Sequence, residues 1–270
     1  DWETAKRGRA NNYPAYGLGV LARHLLNHGH EPRILNLNHE LLKVVYQSNE
    51  PIAYDLVWQS LLFDEIEEFQ PDFVGVTCLF SVTGKSLKNV CNTIRQICDK
   101  PIAIGGVHVT HDVDAIMEDI PEADYAFLNE SEQAFLDFLD EGKLTQVVTR
   151  KGKFLDKNMP RDLDIIPPFE MMDIQNHSLY GTLGSWYGFR YEDTRIATAL
   201  SNRGCRAHCS FCNVRSFNGE GVRQRSIGSV LDELQILKDR GVGHIIWLDD
   251  DLLMREERAI ALFDGMVKRN

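Results

Sequence analysis

Short apolar runs alternate with longer amphipathic runs along most of the chain. The apolar runs end in glycine or polar residues, as buried strands commonly do, and they lie at 73–78, 102–106, 125–128, 196–200 and 245–248. The other runs place apolar residues three or four positions apart, which predicts helices at 18–26, 86–98, 113–119, 132–139 and 227–240, with 40–69 largely helical. Residues 33–37 read as one further strand and 143–149 as a short edge strand. Residues 219–226 read as a loop, and Ser226 is expected to cap the helix that follows.

Strands that alternate with helices across short links predict an α/β fold. Residues 13–149 predict a Rossmann-like, doubly wound parallel sheet that helices cover on both faces. Residues 150–193 are the expected interdomain linker, because prolines punctuate them. Residues 194–270 hold a strand, a long helix and a second strand in parallel, which is the start of a partial (β/α) barrel.

Ligands of parallel sheets and barrels bind beyond the carboxyl ends of the strands, so the residues at those ends are the candidate site. In the first domain they include Thr77, Ser81, Gly105, Gly106 and His108. The two glycines let the backbone approach a ligand closely, although such a pair can equally form a plain turn. His108 is either a cofactor contact or a loop histidine bonded to the backbone.

Composition adds bounds rather than an activity. The 270 residues are 43% hydrophobic and 26% charged, which is ordinary for a globular protein of one large domain or two modest ones. A net charge of −11 argues against a broad nucleic-acid surface. No apolar run is long enough for a membrane helix, no signal peptide is visible, and the pattern of cysteines fits the reducing cytoplasm.

Three of the six cysteines follow the apolar run 196–200 with the spacing C-x3-C-x2-C, at Cys205, Cys209 and Cys212. No fourth cysteine follows them. A 4Fe–4S cluster normally takes four thiolates, so three would leave one iron open to another ligand. Structural zinc normally takes four protein ligands, and His208 is the available fourth. Ordinary cytosolic thiols are the third reading. We assign no chemistry to the other three cysteines, Cys78, Cys91 and Cys98, which lie in apolar or helical runs.

The cysteine motif resembles that of the radical S-adenosylmethionine (SAM) family, C-x3-C-x-aromatic-C, with Phe211 as the aromatic residue. The resemblance implies that the open iron of a 4Fe–4S cluster chelates SAM and that an electron from the cluster cleaves SAM to a 5′-deoxyadenosyl radical. It also implies that Phe211, Asp249 and Asp250 lie near SAM. Arg225 is expected to pair with the SAM carboxylate or these acids, or else to lie in solvent.

The first domain resembles the cobalamin-binding domain that often precedes a radical SAM domain. The resemblance rests on the Tyr13–Glu31 opening, on Pro71–Cys78 and on the Gly-Gly-x-His stretch that ends at His108. It implies that Thr77, Ser81, Gly105, Gly106 and His108 contact cobalamin. In the linker, Trp186, Tyr187 and Phe189 either cap this cofactor or pack between the domains.

The chain departs from the cobalamin family in three places. The family's first strand should precede Tyr13 and is missing, and residue 1 is Asp rather than Met, so we expect a piece of a longer protein. The Asp-x-His-x-x-Gly motif that supplies a cobalt-ligating histidine is absent. The family's Gly-Glu-Gly-Glu reads Asn-Glu-Ser-Glu from Asn129 to Glu132, which keeps the acids but not the glycines.

These resemblances imply a cobalamin-dependent radical SAM enzyme, similar to the methyltransferases that methylate unactivated carbons. Its partners would be a small-molecule or peptide substrate and an electron donor such as flavodoxin or ferredoxin, with no membrane or nucleic acid. Two alternatives stay open: a radical SAM enzyme whose front domain no longer binds cobalamin and serves for docking, and a zinc-stabilised binding protein without catalysis.

Overall fold

The computed structural model describes residues 11–181 and 195–269. By internal packing the chain divides into two compact units. Unit 1 comprises residues 1–61, 162–207 and 221–270, and unit 2 comprises residues 62–161 and 208–220. The aromatic linker residues Trp186, Tyr187 and Phe189 lie outside the described residues.

The helices of the described chain are α1 (Tyr16–Leu26), α2 (Leu37–Gln47), α3 (Tyr54–Phe69), α4 (Gly84–Ile97), α5 (Val107–His111), α6 (Val113–Asp119), α7 (Glu132–Glu141), α8 (Val214–Asn218), α9 (Ile227–Asp239) and α10 (Glu256–Lys268). Single turns of 3-10 helix occur at Ser81–Thr83 and Phe169–Met171, and a longer one runs from Ile174 to Leu179. None of these described helices has the length and apolar character needed to cross a membrane.

Unit 2 is built on a five-stranded sheet in the order β1 (Val74–Thr77), β2 (Ile102–Gly105), β3 (Tyr125–Phe127), β4 (Val147–Thr149) and β5 (Gly152–Phe154). The first three strands are parallel, which confirms the α/β class and the parallel sheet. The last two strands pair antiparallel, so an expectation of parallel strands throughout is wrong at this edge. The link between β4 and β5 is a tight turn, and a turn can join only antiparallel neighbours.

Aromatic side chains fill one core of unit 2. Phe127 of β3 meets Phe135 of α7 edge to face, with ring centroids 5.0 Å apart, and Tyr125 meets Phe138 at 4.7 Å. Alternate residues of a strand point to one face, and residues three apart on a helix share a face, so the apolar pattern of the sequence brings these rings together. This core packs α7 against the sheet.

Unit 1 contains the expected strand–helix–strand unit. Strands β6 (Arg195–Ala199) and β9 (Val242–Trp247) pair in parallel, and α9 connects them. Ser226 caps α9 as predicted, because its side chain accepts the N–H of Ser229 at 3.1 Å. The predicted loop 219–226 is partly wrong, because β8 (Gly221–Gln224) pairs antiparallel with β7 (Asn202–Cys205).

The first helices of the chain belong to unit 1 rather than to the sheet of unit 2. The strand predicted at 33–37 does not form, because α2 begins at Leu37. The Asn36 side chain accepts the N–H of His39 at 3.2 Å and so caps that helix. The sequence-based division at 13–149 therefore groups α1 and α2 differently from the packing.

Candidate functional site

The carboxyl ends of β1 and β2 bring the predicted cobalamin residues close together. Gly106 has a φ of 103°, and a Cβ at this position would lie 2.5 Å from the carbonyl oxygen of Cys78 and 3.0 Å from Oγ1 of Thr77. Only glycine fits such a close approach of two strand ends. Gly105 lies just before it in β2, and its carbonyl accepts the N–H of Cys78 at 2.9 Å. The result is a bare stretch of backbone at the end of the sheet.

Ser81 and His108 lie beside each other at the same strand ends. Ser81 Oγ and His108 Nδ1 lie 3.1 Å apart, and the His108 N–H donates to the Cys78 carbonyl at 3.2 Å. Both of the predicted roles of His108 are compatible with this geometry, because its Nε2 is not used by these two bonds. The structure thus gathers all five predicted residues at one end of one sheet.

Three apolar side chains next to this cluster are exposed, and sequence reasoning did not select them. Leu79 is 51% exposed, Phe80 58% and Val82 90%. Exposed apolar side chains at a strand end are unusual unless something covers them. Their signal in the sequence was the apolar run that continues past the end of β1.

Cys205 ends β7, and the carboxylate of Asp251 holds the chain just after it. Asp251 Oδ2 accepts the Arg206 N–H at 3.4 Å and pairs with Arg206 Nε at 3.2 Å. The Cys205 Sγ lies 3.9 Å from the same oxygen. Asp251 thus anchors the beginning of the cysteine loop within unit 1.

Cys209 and Cys212 lie on the part of the loop that belongs to unit 2. Both thiols are exposed, and the Cys212 N–H donates to the Cys209 carbonyl at 3.1 Å, which closes a turn. Phe211 is 89% exposed. His208 Nε2 accepts a hydrogen bond from a guanidinium nitrogen of Arg215 at 2.8 Å, so the Nε2 of His208 is not available to a metal ion.

The donor set fits an iron–sulfur cluster better than zinc. All three thiols of the loop are free. Zinc would need a fourth ligand, and the candidate, His208, already accepts a hydrogen bond from Arg215 at its Nε2. Within the described ranges, no group of three or more His, Cys, Asp or Glu side chains is arranged to hold a metal ion. The fit therefore rests on the chemistry and spacing of the three thiols. Cys91, by contrast, is a buried thiol, and burial raises its pKa to about 12.

Asp249 and Asp250 follow β9 but differ in what they contact. Asp249 accepts the N–H of Ser201 at 2.9 Å and its hydroxyl at 2.6 Å, so it fixes the turn between β6 and β7. Burial raises the pKa of Asp249. Partial burial and the charge of Asp249 raise the pKa of Asp250, for which the described chain offers no hydrogen-bond donor. Asp250 is thus the carboxylate that remains available to a cation.

Arg225 pairs with Glu233 rather than with Asp249 or Asp250, the acids with which it was expected to pair. Its guanidinium is buried, pairs with Glu233, and donates to the Tyr16 hydroxyl at 3.1 Å and the Leu200 carbonyl at 2.9 Å. This packing does not support the predicted contact with SAM. Glu233 was not predictable as the partner of Arg225, because it lies among the buried apolar residues of α9.

The chain is similar to one known domain family and to several known enzymes. Residues 7–139 match the model of the B12 binding domain. The chain is 27% identical to the cytidylyl-2-hydroxyethylphosphonate methyltransferase of Streptomyces wedmorensis, across 93% of this chain and 53% of that protein. It is 24% identical to the anaerobic magnesium-protoporphyrin IX monomethyl ester cyclase of Cereibacter sphaeroides, across 80% and 36%.

A solved structure supports the fold. The radical S-adenosylmethionine methyltransferase TsrM of Kitasatospora setae, determined with cobalamin and a [4Fe-4S] cluster, matches with a TM-score of 0.68 and 20% identity. The match covers 95% of this chain and 48% of TsrM. The chain thus spans about half the length of the methyltransferase and of the solved structure it matches.

Proposed function

We propose that this chain, of which residues 7–139 match the B12 binding domain, is part of a radical SAM protein, that its cysteine loop holds a 4Fe–4S cluster and that the sheet of unit 2 binds cobalamin. The observation that carries the proposal is the set of three free thiols, Cys205, Cys209 and Cys212, which lie in the sequence between β6 and α9 of the parallel strand–helix–strand unit. SAM would bind the iron that no thiolate occupies.

The strand ends of unit 2 suit a large, flat cofactor. The bare backbone at Gly105 and Gly106 permits close approach, and the exposed side chains of Leu79, Phe80 and Val82 supply apolar contact. We assign Thr77, Ser81 and His108 to hydrogen bonds with the cofactor's polar periphery.

The residues after the cysteines suit SAM. Phe211 offers an exposed ring beside the loop turn, and the carboxylate of Asp250 offers an ion pair to the SAM ammonium. Asp249 contributes indirectly, since it fixes Ser201 at the end of β6. When bound, the cluster supplies the electron that cleaves SAM, and cobalamin supplies a carrier for a methyl group.

The reaction class that follows is methyl transfer to an unactivated carbon. The similarity to a methyltransferase, at 27% identity across 93% of this chain, favours it over cyclisation, which the similarity to the cyclase at 24% identity across 80% would suggest. A small-molecule or peptide substrate, a flavodoxin- or ferredoxin-like electron donor and a cytoplasmic location belong to the same proposal.

Anaerobic reconstitution of the full-length protein tests the proposal. We expect about four irons and four sulfides per chain, the visible absorbance of a corrinoid after addition of hydroxocobalamin, and formation of 5′-deoxyadenosine from SAM. The Cys209→Ala variant should lose the cluster and SAM cleavage. The control Cys98→Ala, which removes a thiol outside the loop, should keep both.

The same measurements separate the alternatives. Zinc at one per chain without iron or sulfide would favour the non-catalytic binding protein. A cluster without bound corrinoid would favour a front domain that serves for docking. Retained SAM cleavage in Cys209→Ala would refute the assignment of this ligand.

A further inference from the structure

Asn129 stands at the end of β3 in a backbone conformation that its neighbours fix from both sides. Its φ is 59°, in the left-handed region, and its N–H donates to Thr110 Oγ1 at 2.9 Å. The buried side chain of Gln146 donates to the carbonyls of the two adjacent residues, Leu128 at 3.0 Å and Glu130 at 3.1 Å. These hydrogen bonds fix the backbone of Asn129 independently of the contacts that its side chain makes.

The side chain of Asn129 caps the C-terminal end of α8, the short helix that follows the cysteine loop. Its amide nitrogen donates to the carbonyls of Ser216 and Phe217, both at 2.9 Å, so both amide hydrogens are used. The last carbonyls of a helix have no partner inside the helix. A helix as short as α8 is not stable by itself in water and needs such contacts.

Helix α8 is joined directly to two of the three thiols. Cys212 lies two positions before Val214, the first residue of α8, and the Cys212 N–H is bonded to the Cys209 carbonyl. A clamp on α8 therefore limits where the turn between these cysteines can lie within unit 2.

The same hydrogen bonds reach the strand end proposed for cobalamin. The Thr110 hydroxyl accepts from Asn129 and donates to the Gly106 carbonyl at 3.0 Å. Gly106 and the cysteine-bearing segment are thus tied to one another through two side chains inside unit 2.

We propose that Asn129 is a positioning residue for the iron–sulfur cluster: it fixes α8 and through it Cys209 and Cys212. This inference rests on the function proposed above. It assigns a role to the position where the cobalamin-domain family, by the resemblance, has glycine. Glycine would keep the left-handed backbone but could not reach α8.

The Asn129→Gly variant tests the proposal because it preserves the backbone and deletes only the amide. In the full-length protein without cofactors, amide hydrogen exchange of residues 209–218 should become roughly tenfold faster, while β1 to β3 stay protected. After reconstitution, iron should be lost to a chelator roughly fivefold faster, and the cluster's electron paramagnetic resonance spectrum and midpoint potential should shift.

Asn129→Asp and Gln70→Gly complete the design. Aspartate has nearly the same shape, tolerates a positive φ, and places oxygens against two carbonyls, so it should loosen α8 further. Gln70 also has a left-handed backbone in unit 2, with a φ of 51° and a side chain that bonds within its own helix end. Its glycine variant should leave exchange in 209–218 and the cluster unchanged.

Each outcome decides something. If wild type forms a cluster and Asn129→Gly matches it in exchange, iron loss, spectrum and potential, this inference is overturned alone. If exchange rises while all cluster properties stay those of wild type, Asn129 holds α8 without positioning the cluster, and the inference is again wrong. If wild type takes up no iron, the proposed function fails and this inference fails with it.

Discussion

Arg225 and Arg215 carry the same charge in very different surroundings. Arg225 is buried against Glu233, whose side chain is fully buried, whereas Arg215 pairs with the exposed carboxylate of Glu220. Burial raises the pKa of Glu233 in spite of the neighbouring guanidinium. A buried pair of this kind is costly to break, because removal of one partner leaves the other charge without compensation.

We expect Glu233→Gln to lower the free energy of unfolding by about 3–5 kcal/mol, since Arg225 would keep its charge in a buried site. The matched change Glu220→Gln should cost about 1 kcal/mol or less, because that pair is exposed to solvent. Urea unfolding of the two variants at pH 7 measures both values. Equal losses would show that burial does not decide the strength of these pairs.

The buried side chain of His177 should make the free energy of unfolding depend on pH. Burial and then the stacked ring of His39, 3.8 Å away, lower the pKa of His177 to about 4. The pair also contacts Asn12, the Met172 carbonyl, Asp173 and Tyr180, and Lys43 pairs with Asp173. Because the unfolded histidine titrates near 6.5, the unfolded chain binds the proton first as the pH falls.

The contribution of His177 is therefore present above pH 6.5 and is lost as the pH falls toward 4. Between pH 7 and pH 5 it should amount to about 2 kcal/mol of unfolding free energy. His177→Gln cannot be protonated, so its stability should change less over this range than that of wild type. Denaturant titrations at the two pH values give the comparison, and parallel curves for both proteins would contradict the assignment.

At the scale of elements, the carboxyl ends of β1 and β2 approach closely at Gly106, because this residue has no side chain. We predict that Gly106→Ala lowers stability by about 2 kcal/mol or more, because a Cβ would lie 2.5 Å from the Cys78 carbonyl and the φ of 103° disfavours alanine.

Gly75→Ala in β1 is the control for this change, because a Cβ there meets nothing within 4 Å. Thermal unfolding measures stability, and hydroxocobalamin titration of the folded variants measures affinity. A Gly106→Ala protein as stable as Gly75→Ala would mean that the strand ends can move apart.

Helix caps and uninterrupted apolar patterns decided which elements were predictable. Helix α9 was placed well because Ser226 caps it and Gly241 follows it with a φ of 83°. The strand predicted at 33–37 does not form, because Asn36 caps the helix α2 that begins at Leu37. The β7–β8 hairpin was missed because the cysteine loop between its strands breaks the alternating pattern.

At the scale of the whole molecule, the B12 domain match and the packing units have different boundaries. The match covers 7–139, but α1 and α2 belong to unit 1. Tyr16 of α1 donates to Glu233 at 2.9 Å, and His39 of α2 pairs with Asp173 at 3.0 Å. Both partners lie beyond the matched segment.

A segment of residues 7–161 should therefore keep the sheet of unit 2 and lose α1 and α2. Amide hydrogen exchange of this segment should be slow in β1 to β3 and fast in residues 16–26 and 37–47, which are protected in the longer chain. The sheet serves as the internal control. Equal protection of the two helices in the short and long chains would show that they fold without unit 1.

Sequence alone determined the parts of this protein that depend on local pattern. The apolar runs fixed the main strands, since burial of a strand is written in consecutive residues. The spacing of Cys205, Cys209 and Cys212 indicated an iron–sulfur loop, because ligand spacing is itself a local property. The glycine pair at 105 and 106 predicted a close approach of the backbone, which Gly106 makes to Cys78.

Only the tertiary structure decided which side chains meet. Arg225 contacts Tyr16 across 209 positions of sequence, and Asn129 contacts Phe217 across 88. Residue type and periodicity show that a charge or an amide is present, but not which distant group will satisfy it once water is excluded. Partner choice follows from how the elements pack, and for this reason Arg225, Asp249 and Asn129 have contacts that their own segments could not reveal.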